Sequence, residues 1–426
     1  MDPVQVVIPM LRQVAKRPWI MELVGRFDRW GNLFGPERYK YPYPLFERIR
    51  ADGPIVKRAM YGGWIVTGFD EGRQVLSSEH ASVGGSIDSL FKVKPYPQLS
   101  ADSRDLLRQM LLFQDGPAHA RLRRLVARTF TPRAVRELEP RTAEIAQDMA
   151  AKLASGGTHD AAHGFTSPFP ISVISALIGV PDDRWEWAHE RAKVIVRIVD
   201  PINSFDPREV DRATADVISY FTELVEQRRS NPQDDLLSGL VAPDDDGDEL
   251  THGELMSMLS MLFFAGFETT SGVLGNAIVA LAKHPDQREL IRRQPDLWPG
   301  AAEELLRYDP AIQMVNRTLV RDLDVGGHTI KAGELATVFV GSANRDPRVG
   351  NDLHELQLDR KDPQVLSLGH GVHHCLGAAI ARLELRVGLR AYVEAMGDYT
   401  VDVDAIEWKQ SVTLRGPIVL PVTPGS

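Results

Sequence analysis

The only cysteine of the chain lies among glycines and histidines that suit metal or ligand binding. The segment reads Leu368-Gly369-His370-Gly371-Val372-His373-His374-Cys375-Leu376-Gly377, and a helical pattern follows over residues 378–392. A cysteine near a helix N-terminus meets the positive end of the helix dipole, which favours its thiolate. The glycines let the backbone approach a flat ligand closely. Such a thiolate, without a second protein sulfur, suits a single metal that another group already holds.

Several chemistries remain open for this segment. Haem iron accepts one cysteine as an axial ligand, whereas covalent c-type attachment needs two cysteines and is excluded. Zinc would need tetrahedral ligands, and three histidines this close to Cys375 cannot easily surround one ion with it. A dinucleotide loop would need a third glycine where His374 stands. A cysteine nucleophile paired with a histidine base does not explain the glycines, and an inert, buried cysteine is the remaining alternative.

The composition narrows the class of protein. The 426 residues carry 49 basic and 58 acidic side chains, a formal net charge of −9, so nucleic acid is not expected as a partner. A single cysteine forbids an intramolecular disulfide and fits a reducing compartment. The apolar run at residues 6–11 is far shorter than the roughly 20 residues that span a bilayer, and no cleavage site follows it. We therefore expect a cytoplasmic protein without a membrane anchor.

The elements that must position the cysteine segment are mostly helical from about residue 100 onward. The longest predicted helix begins at Thr251, where Glu254 completes capping-box spacing, and runs to Lys283, a length of about 50 Å. Its middle, residues 256–267, is apolar on nearly every side and is predicted to be buried. Four polar residues, 268–271, interrupt that pattern. Because buried polar groups are costly without partners, the interruption indicates a functional position.

Short strand patterns near both ends predict three hairpins. The paired segments are residues 55–60 with 64–67, residues 329–330 with 335–340, and residues 412–414 with 418–420. The acidic stretch 244–249 is predicted to be an exposed loop. The expected fold class is therefore mainly α with small β-sheets.

The cysteine segment resembles the haem-ligand loop of the cytochrome P450 family, Phe-Gly-x-Gly-x-His-x-Cys-x-Gly. Four other family motifs are matched in the family's order: His119-x-x-x-Arg123, Ala265-Gly266-Phe267-Glu268-Thr269, Glu304-Leu305-Leu306-Arg307 and Ala343-Asn344-Arg345-Asp346-Pro347. The resemblance implies one cytochrome P450-like haem domain over residues 1–426, with a peripheral N-terminal segment of about 40 residues.

The resemblance also implies a role for each matched residue. Cys375 would ligate the iron of haem b (iron protoporphyrin IX), and Gly266 would lie where the long helix passes over the haem. Glu268 and Thr269 would relay protons for cleavage of the O–O bond. The haem propionates would be bound by His119, Arg123, Arg317 and His373.

Two departures from the family pattern affect the support of this loop. Leu368 stands where the family usually has Phe. The family's aromatic, proline and arginine positions between residues 347 and 360 are also replaced. The family joins the pair Glu304 and Arg307 to an arginine in that stretch, so His354 or Arg360 would have to substitute for it.

The implied function is a haem-thiolate monooxygenase that uses O2 and electrons from a ferredoxin and its reductase. We expect Arg121, Arg124 and Arg128 to help dock an acidic electron donor. An apolar small-molecule substrate is expected from candidate pocket residues Leu90, Phe91, Phe263, Phe264, Met314, Val315 and Val412. A peroxide-driven haem enzyme and a non-catalytic haem sensor or carrier are the alternatives, and Glu268 with Thr269 favours the O2-dependent route.

Overall fold

The computed structural model of this chain describes residues 36–58, 63–181, 184–198 and 205–425, so most of the N-terminal segment predicted to be peripheral lies outside the described residues. The helices are α1 Pro36–Lys40, α2 Tyr43–Arg50, α3 Phe69–Ser77, α4 Gly84–Leu90, α5 Ala101–Arg108, α6 Gly116–Ala127, α7 Pro132–Ala154, α8 Pro168–Ile178, α9 Trp185–Ile195, α10 Pro207–Ser230, α11 Leu236–Val241, α12 His252–Lys283, α13 Pro285–Arg293, α14 Trp298–Tyr308, α15 Val340–Ala343 and α16 Ala378–Met396. The strands are β1 Ile55–Arg58, β2 Gly63–Val66, β3 Ala81–Ser82, β4 His159–Asp160, β5 Met314–Leu319, β6 Leu323–Val325, β7 His328–Ile330, β8 Leu335–Phe339, β9 Thr400–Val401, β10 Glu407–Trp408, β11 Pro417–Val419 and β12 Pro421–Thr423. The predicted fold class, mainly α with small β-sheets, is confirmed.

Helix α12 crosses the core and is the predicted long helix. Both hydrogen bonds of the Thr251 and Glu254 capping box are present. The first half of the helix packs into one apolar cluster with α5, α8 and α10, and the second half packs into another with α7, α14 and α16. By length and composition α12 could cross a membrane, but 67% of that apolar window is buried inside the protein, as in a core helix. The polar residues 268–271 lie between the two clusters.

The sheets confirm one predicted hairpin and correct another. Strands β1 and β2 pair antiparallel, with Ile55 opposite Val66; the turn between them lies outside the described residues. Strands β7 and β8, predicted to pair with each other, do not. Strand β7 pairs with β6 across Gly326 and Gly327, both at positive φ, as a tight two-residue turn requires. Strand β8 instead lies between β2 and β5 in a five-stranded sheet of order β1-β2-β8-β5-β3.

The third predicted hairpin is also wrong. Strand β11 pairs with β10 rather than with residues 412–414, of which only Leu414 forms a bridge, to Ile312. Between the two segments, the Arg415 side chain is buried against Asp309 at 2.8 Å, which turns the chain away from a hairpin. The predicted loop at 244–249 is confirmed.

A buried ion pair on α14 supports the segment before the cysteine. Arg307 and Glu304 are fully buried and bidentate, at 2.6 and 2.7 Å. The second cation is Arg360, whose Nε lies 3.1 Å from Glu304, whereas His354 is exposed and lies beside Glu355. Of the two substitutes predicted from the sequence, Arg360 is therefore the one used.

Residues 350–356, which differ from the family pattern, are held in place through their backbone. Arg307 donates to the carbonyl oxygens of Leu353 at 2.6 Å, Glu355 at 2.9 Å and Asn344 at 3.2 Å. Asn344 in turn donates to the Ser367 hydroxyl at 2.7 Å, one residue before Leu368. Because these contacts use main-chain oxygens, the side chains of residues 350–356 can differ from the family pattern without loss of support.

Candidate active site

An internal cavity of about 340 Å³ lies between α12, α16, β5 and the cysteine loop. Its wall is mostly apolar, as in small-molecule and cofactor sites. Most of the site residues predicted from the sequence line it: His119, Arg123, Gly266, Thr269, Arg317, His373 and Cys375. The exception is Glu268, which lies off the wall that the described residues form.

The cysteine loop is folded by its glycines and by main-chain hydrogen bonds. Gly369 and Gly371 have φ of +75° and +70°, where side chains are strained. A Cβ on Gly371 would also lie 2.8 Å from Ser77 Cα, so the loop needs glycine to pack against α3. The Cys375 N–H donates to the Leu368 carbonyl at 2.7 Å, and α16 begins at Ala378, directly after the loop. The predicted place of Cys375 before a helix is confirmed.

The Cys375 thiol faces the cavity. Burial raises its pKa above the ordinary value, against the opposing effects of the Gly377 N–H and of Arg123 and Arg382. The N–H group at the start of the helix thus favours the thiolate, as predicted, but does not outweigh burial. A thiol loses its proton when it ligates a metal, so binding the metal and ionising the sulfur are coupled.

Four nitrogen-bearing side chains form a cluster at one end of the cavity, and we call His119, Arg123, Arg317 and His373 the cradle. The His119 and His373 rings lie 4.3 Å apart, and Arg123 donates to the His374 carbonyl at 2.8 Å. Burial, with the nearby His373 and Arg123, lowers the pKa of His119 to about 4. Such a cluster attracts an anion, because four donors meet few acceptors there.

Arg317 provides a direct test of whether haem fits. It is 5% exposed, and its Nε has no hydrogen-bond partner among the described residues. Burial lowers its pKa to about 10, partly offset by Asp115. Its Nη1 donates to the Asn316 carbonyl at 2.9 Å. A buried donor without a partner, such as this Nε–H, is costly, and a carboxylate entering the cavity would relieve that cost. The cradle therefore fits the carboxylates of haem, and Cys375 fits its iron.

The zinc alternative finds no support. Within the ranges that the structure describes, no group of three or more His, Cys, Asp and Glu side chains is placed to hold a metal ion. His370 and His374 flank the loop but do not converge with Cys375 on one point.

Each polar side chain in the break of α12 has a partner. Thr269 and Thr270 donate to the carbonyls of Ala265 and Gly266, at 3.0 and 3.1 Å, and Ser271 lies 3.2 Å from Ser167. Glu268 forms an ion pair with Lys409, which explains why it lies off the cavity. Thr269 thus faces the cavity as predicted, whereas Glu268 points towards Lys409.

Gly266 has a packing role as well as a place in the wall. A Cβ there would lie 3.1 Å from two carbon atoms of Ile174 on α8. The missing side chain lets α8 and α12 approach each other, in addition to the predicted approach to haem.

Glu384 on α16 is a site residue that sequence reasoning missed. It lines the cavity, is 2% exposed and lies in hydrogen-bonding reach of Thr270. Burial raises the pKa of Glu384 well above its ordinary value, and only the Thr270 contact opposes this. An acid on the apolar face of a predicted helix was the available signal, because acids are rarely buried without a role.

Most of the predicted substrate residues are in the core rather than the cavity. Val315 lines the cavity as predicted. Leu90, Phe91, Phe263 and Phe264 pack into the cluster around the first half of α12, and Met314 packs against α2. Val412 is buried but is not part of the wall. The apolar residues that do line the cavity include Val83, Met261, Leu262, Ala265, Ala311 and Ile312.

The arginines expected to dock an electron donor are already engaged. Arg121 binds Asp248 and Glu254, and Arg124 binds Asp244 and Asp248 in the acidic loop. Arg128 donates to the carbonyls of Gly239 and Ala242. Arg124 nevertheless keeps half of its side chain exposed, and the docking of an acidic electron donor by these three arginines stays a prediction.

Comparisons with known proteins agree with this fold. The sequence profile described as Cytochrome P450 matches residues 188–294 and 300–396. The chain is 36% identical to the monooxygenase PikC of Streptomyces venezuelae, over 89% of this chain and 90% of that protein. It is 34% identical to the vitamin D(3) 25-hydroxylase of Pseudonocardia autotrophica, over 92% and 96%. The solved structure of PksS from Bacillus subtilis 168 superposes with a TM-score of 0.83 at 30% identity, covering 92% and 99%.

The fold and the site define a haem-thiolate oxidoreductase. The chain belongs to the cytochrome P450 family. It is a monooxygenase that acts on a small molecule with O2 and electrons from redox partners, as the family does.

Proposed function

We propose that the prosthetic group is haem b, with Cys375 on its iron and the cradle on its two carboxylates. The buried Arg317 Nε, which has no hydrogen-bond partner among the described residues, is the observation that carries this assignment. Haem supplies the O2 chemistry, and the chain supplies a sulfur ligand, anion binding and a dry cavity. With one cysteine, haem must be held without thioether bonds.

The substrate we propose is a bulky, largely aliphatic molecule. Among the apolar residues of the cavity wall named above, Ala265 and Ala311 are small and leave room for a substrate. The larger ones are aliphatic or methionine. Such a wall selects by shape and apolar contact rather than by hydrogen bonds. The names of the relatives, a polyketide biosynthesis enzyme and a vitamin D(3) 25-hydroxylase, are in keeping with this class.

We further propose that a ferredoxin and its reductase supply the electrons. The chain matches PikC over 90% of the length of that protein and PksS over 97%. The haem domain therefore accounts for nearly all of this chain. We therefore propose that residues 1–426 form one domain. We also propose that the protein works in the cytoplasm.

We assign proton delivery to two acid and alcohol pairs: Glu268 with Thr269 on α12, and Glu384 of α16 with Thr270 of α12. Thr269 faces the cavity beside Glu268, which forms an ion pair with Lys409. Thr270 contacts Glu384, whose pKa burial raises well above its ordinary value. A hydroxyl can accept a proton from an acid on one side while it donates to water on the other.

A reconstituted turnover assay tests the proposal. Purified protein, ferredoxin, reductase, NAD(P)H and O2 are incubated with a panel of polyketide, steroid, terpenoid and fatty acid substrates, and oxygenated products are measured by mass spectrometry. Labelled O2 should place one oxygen atom in the product. Turnover only with hydrogen peroxide would favour the peroxide-driven route, and bound haem without turnover by either route would favour a sensor or carrier.

Thr269→Ala should separate haem binding from productive turnover. The substitution removes a hydroxyl on the cavity wall, so electrons should leave as hydrogen peroxide, and product formed per NAD(P)H should fall by about 10-fold. The matched control is Ser271→Ala, whose hydroxyl contacts Ser167 instead. Equal coupling in both variants would contradict the assignment.

Glu384→Gln should retain the fold and lower coupling. The amide has the shape of the protonated acid and can keep the contact with Thr270, but it has no proton to transfer. We expect a loss of product formation of at most about 10²-fold, because Glu268 remains. Unchanged turnover at every pH would exclude Glu384 as a proton source.

A further inference from the structure

Asp115 occupies a helix N-cap position but does not cap its helix. It directly precedes α6, which carries His119 and Arg123, and its backbone is extended as in an N-cap residue. An aspartate there normally accepts from the first-turn N–H groups. Its carboxylate makes no such bond, so its acceptor capacity is used elsewhere.

The carboxylate of Asp115 instead binds a turn across the cavity edge. Oδ2 accepts from the Ser82 hydroxyl at 2.6 Å, the Gly84 N–H at 2.7 Å and the Val83 N–H at 3.1 Å. Glycine suits position 84, because a Cβ would be in tight contact with Oδ2 at 3.1 Å and with the Phe113 carbonyl at 3.0 Å. Val83 lines the cavity, so this turn forms part of the wall.

The other oxygen of Asp115 reaches the cradle. Oδ1 lies 3.3 Å from His373 Nε2, and that ring contacts His119. Asp115 is also the carboxylate that acts on Arg317. Burial opposes ionisation, but His373, Ser82, Gly84 and Val83 together hold the pKa of Asp115 well below its usual range. One charged group therefore joins three chain segments.

We propose that Asp115 is a positioning residue that fixes His373 and the Ser82–Gly84 turn in the geometry that binds the haem carboxylates. The inference rests on the proposed haem site. Acceptors behind a metal-ligating histidine orient its ring, and their removal typically costs 10-fold to 100-fold in affinity. We expect the same orienting effect on a histidine that binds a carboxylate.

Asp115→Asn distinguishes positioning from simple charge. Near the haem carboxylates, loss of a negative charge should by itself slow haem loss, because repulsion falls. Positioning predicts the opposite result: haem loss to excess apomyoglobin should become about 10-fold faster, with a weaker Soret circular dichroism band. Ser82→Ala keeps the charge and removes one hydrogen bond. It should change the rate of haem loss and the circular dichroism band in the same direction as Asp115→Asn, but by a smaller amount.

The control is Asp105→Asn, an exposed carboxylate 3.9 Å from Arg108, which should leave haem loss unchanged. Unfolding of each apoprotein is measured in parallel. Unchanged or slower haem loss in Asp115→Asn would overturn the inference, as would faster loss that only follows a less stable apoprotein. Wild-type protein that binds no haem would overturn the proposed function, and this inference with it.

Discussion

Cys375→Ser should abolish the red-shifted Soret band of the dithionite-reduced, CO-bound protein, and oxygenated product should fall to the limit of detection. Serine keeps the size of the side chain, but its hydroxyl does not ionise under conditions in which a thiol does. The loop geometry should be unchanged, because it depends on Gly369, Gly371 and the main-chain bond from residue 375 to Leu368. The loss would therefore be chemical rather than structural.

The matched control lies in the same loop. Leu368 packs against the cluster around α16, and Leu368→Phe introduces the residue usual in the family. We expect about 1–3 kcal/mol of destabilisation from the larger ring, with the thiolate spectrum retained. A normal CO spectrum in Cys375→Ser would exclude this cysteine as the ligand.

The single thiol provides a measurement independent of the spectrum. Cys375 is the only cysteine in the chain and faces the cavity. A thiol reagent should modify the apoprotein once and should leave the haem-loaded protein unmodified, because the sulfur is then a metal ligand. Equal labelling of both forms would place haem away from the cysteine.

The site was more predictable from sequence than the sheets were. His119, Arg123 and Cys375 lie in short motifs in which one helical turn or one loop fixes the spacing within each motif. That the two motifs meet on a common wall was implied by the family resemblance, not by local order. Strand β8 pairs with β2, which lies near the other end of the chain, and nothing local to residues 335–339 specifies that partner. The Gly326-Gly327 turn, by contrast, was a local signal that predicts the β6 and β7 pair.

The direction of side chains on a buried helix was harder to predict from the sequence than the place of the site motifs. Phe263 and Phe264 and the residues just before them are all apolar, so periodicity does not show that Met261 and Leu262 face the cavity. Glu268 was predicted beside the cavity, but the Lys409 ion pair that turns it aside joins residues 141 apart. Glu384 was missed for the same reason, since its partner Thr270 lies on a different helix.

Glu304→Gln should destabilise the protein by about 3–5 kcal/mol, the typical cost of breaking a buried ion pair. Glu304 and Arg307 are both completely buried, and Glu304 also accepts from Arg360 and from the Gln357 N–H at 3.0 Å. The amide cannot balance two guanidinium groups, so Arg307 would remain a buried, uncompensated charge. Because Arg307 also holds the carbonyl of Asn344, the loss should loosen the segment that leads to the cysteine loop.

The neighbouring residue provides the control for this last prediction. Glu303 carries the same side chain one position earlier, but its pair with Arg382 is partly exposed, so Glu303→Gln should cost no more than about 1 kcal/mol. Denaturant unfolding of both variants and wild type measures the difference. If Glu304→Gln does not accumulate as folded protein, Arg360→Met tests the same cluster instead. It removes the second cation, whose identity the sequence left undecided. Equal stability of the 303 and 304 variants would show that the buried pair does not support the haem loop.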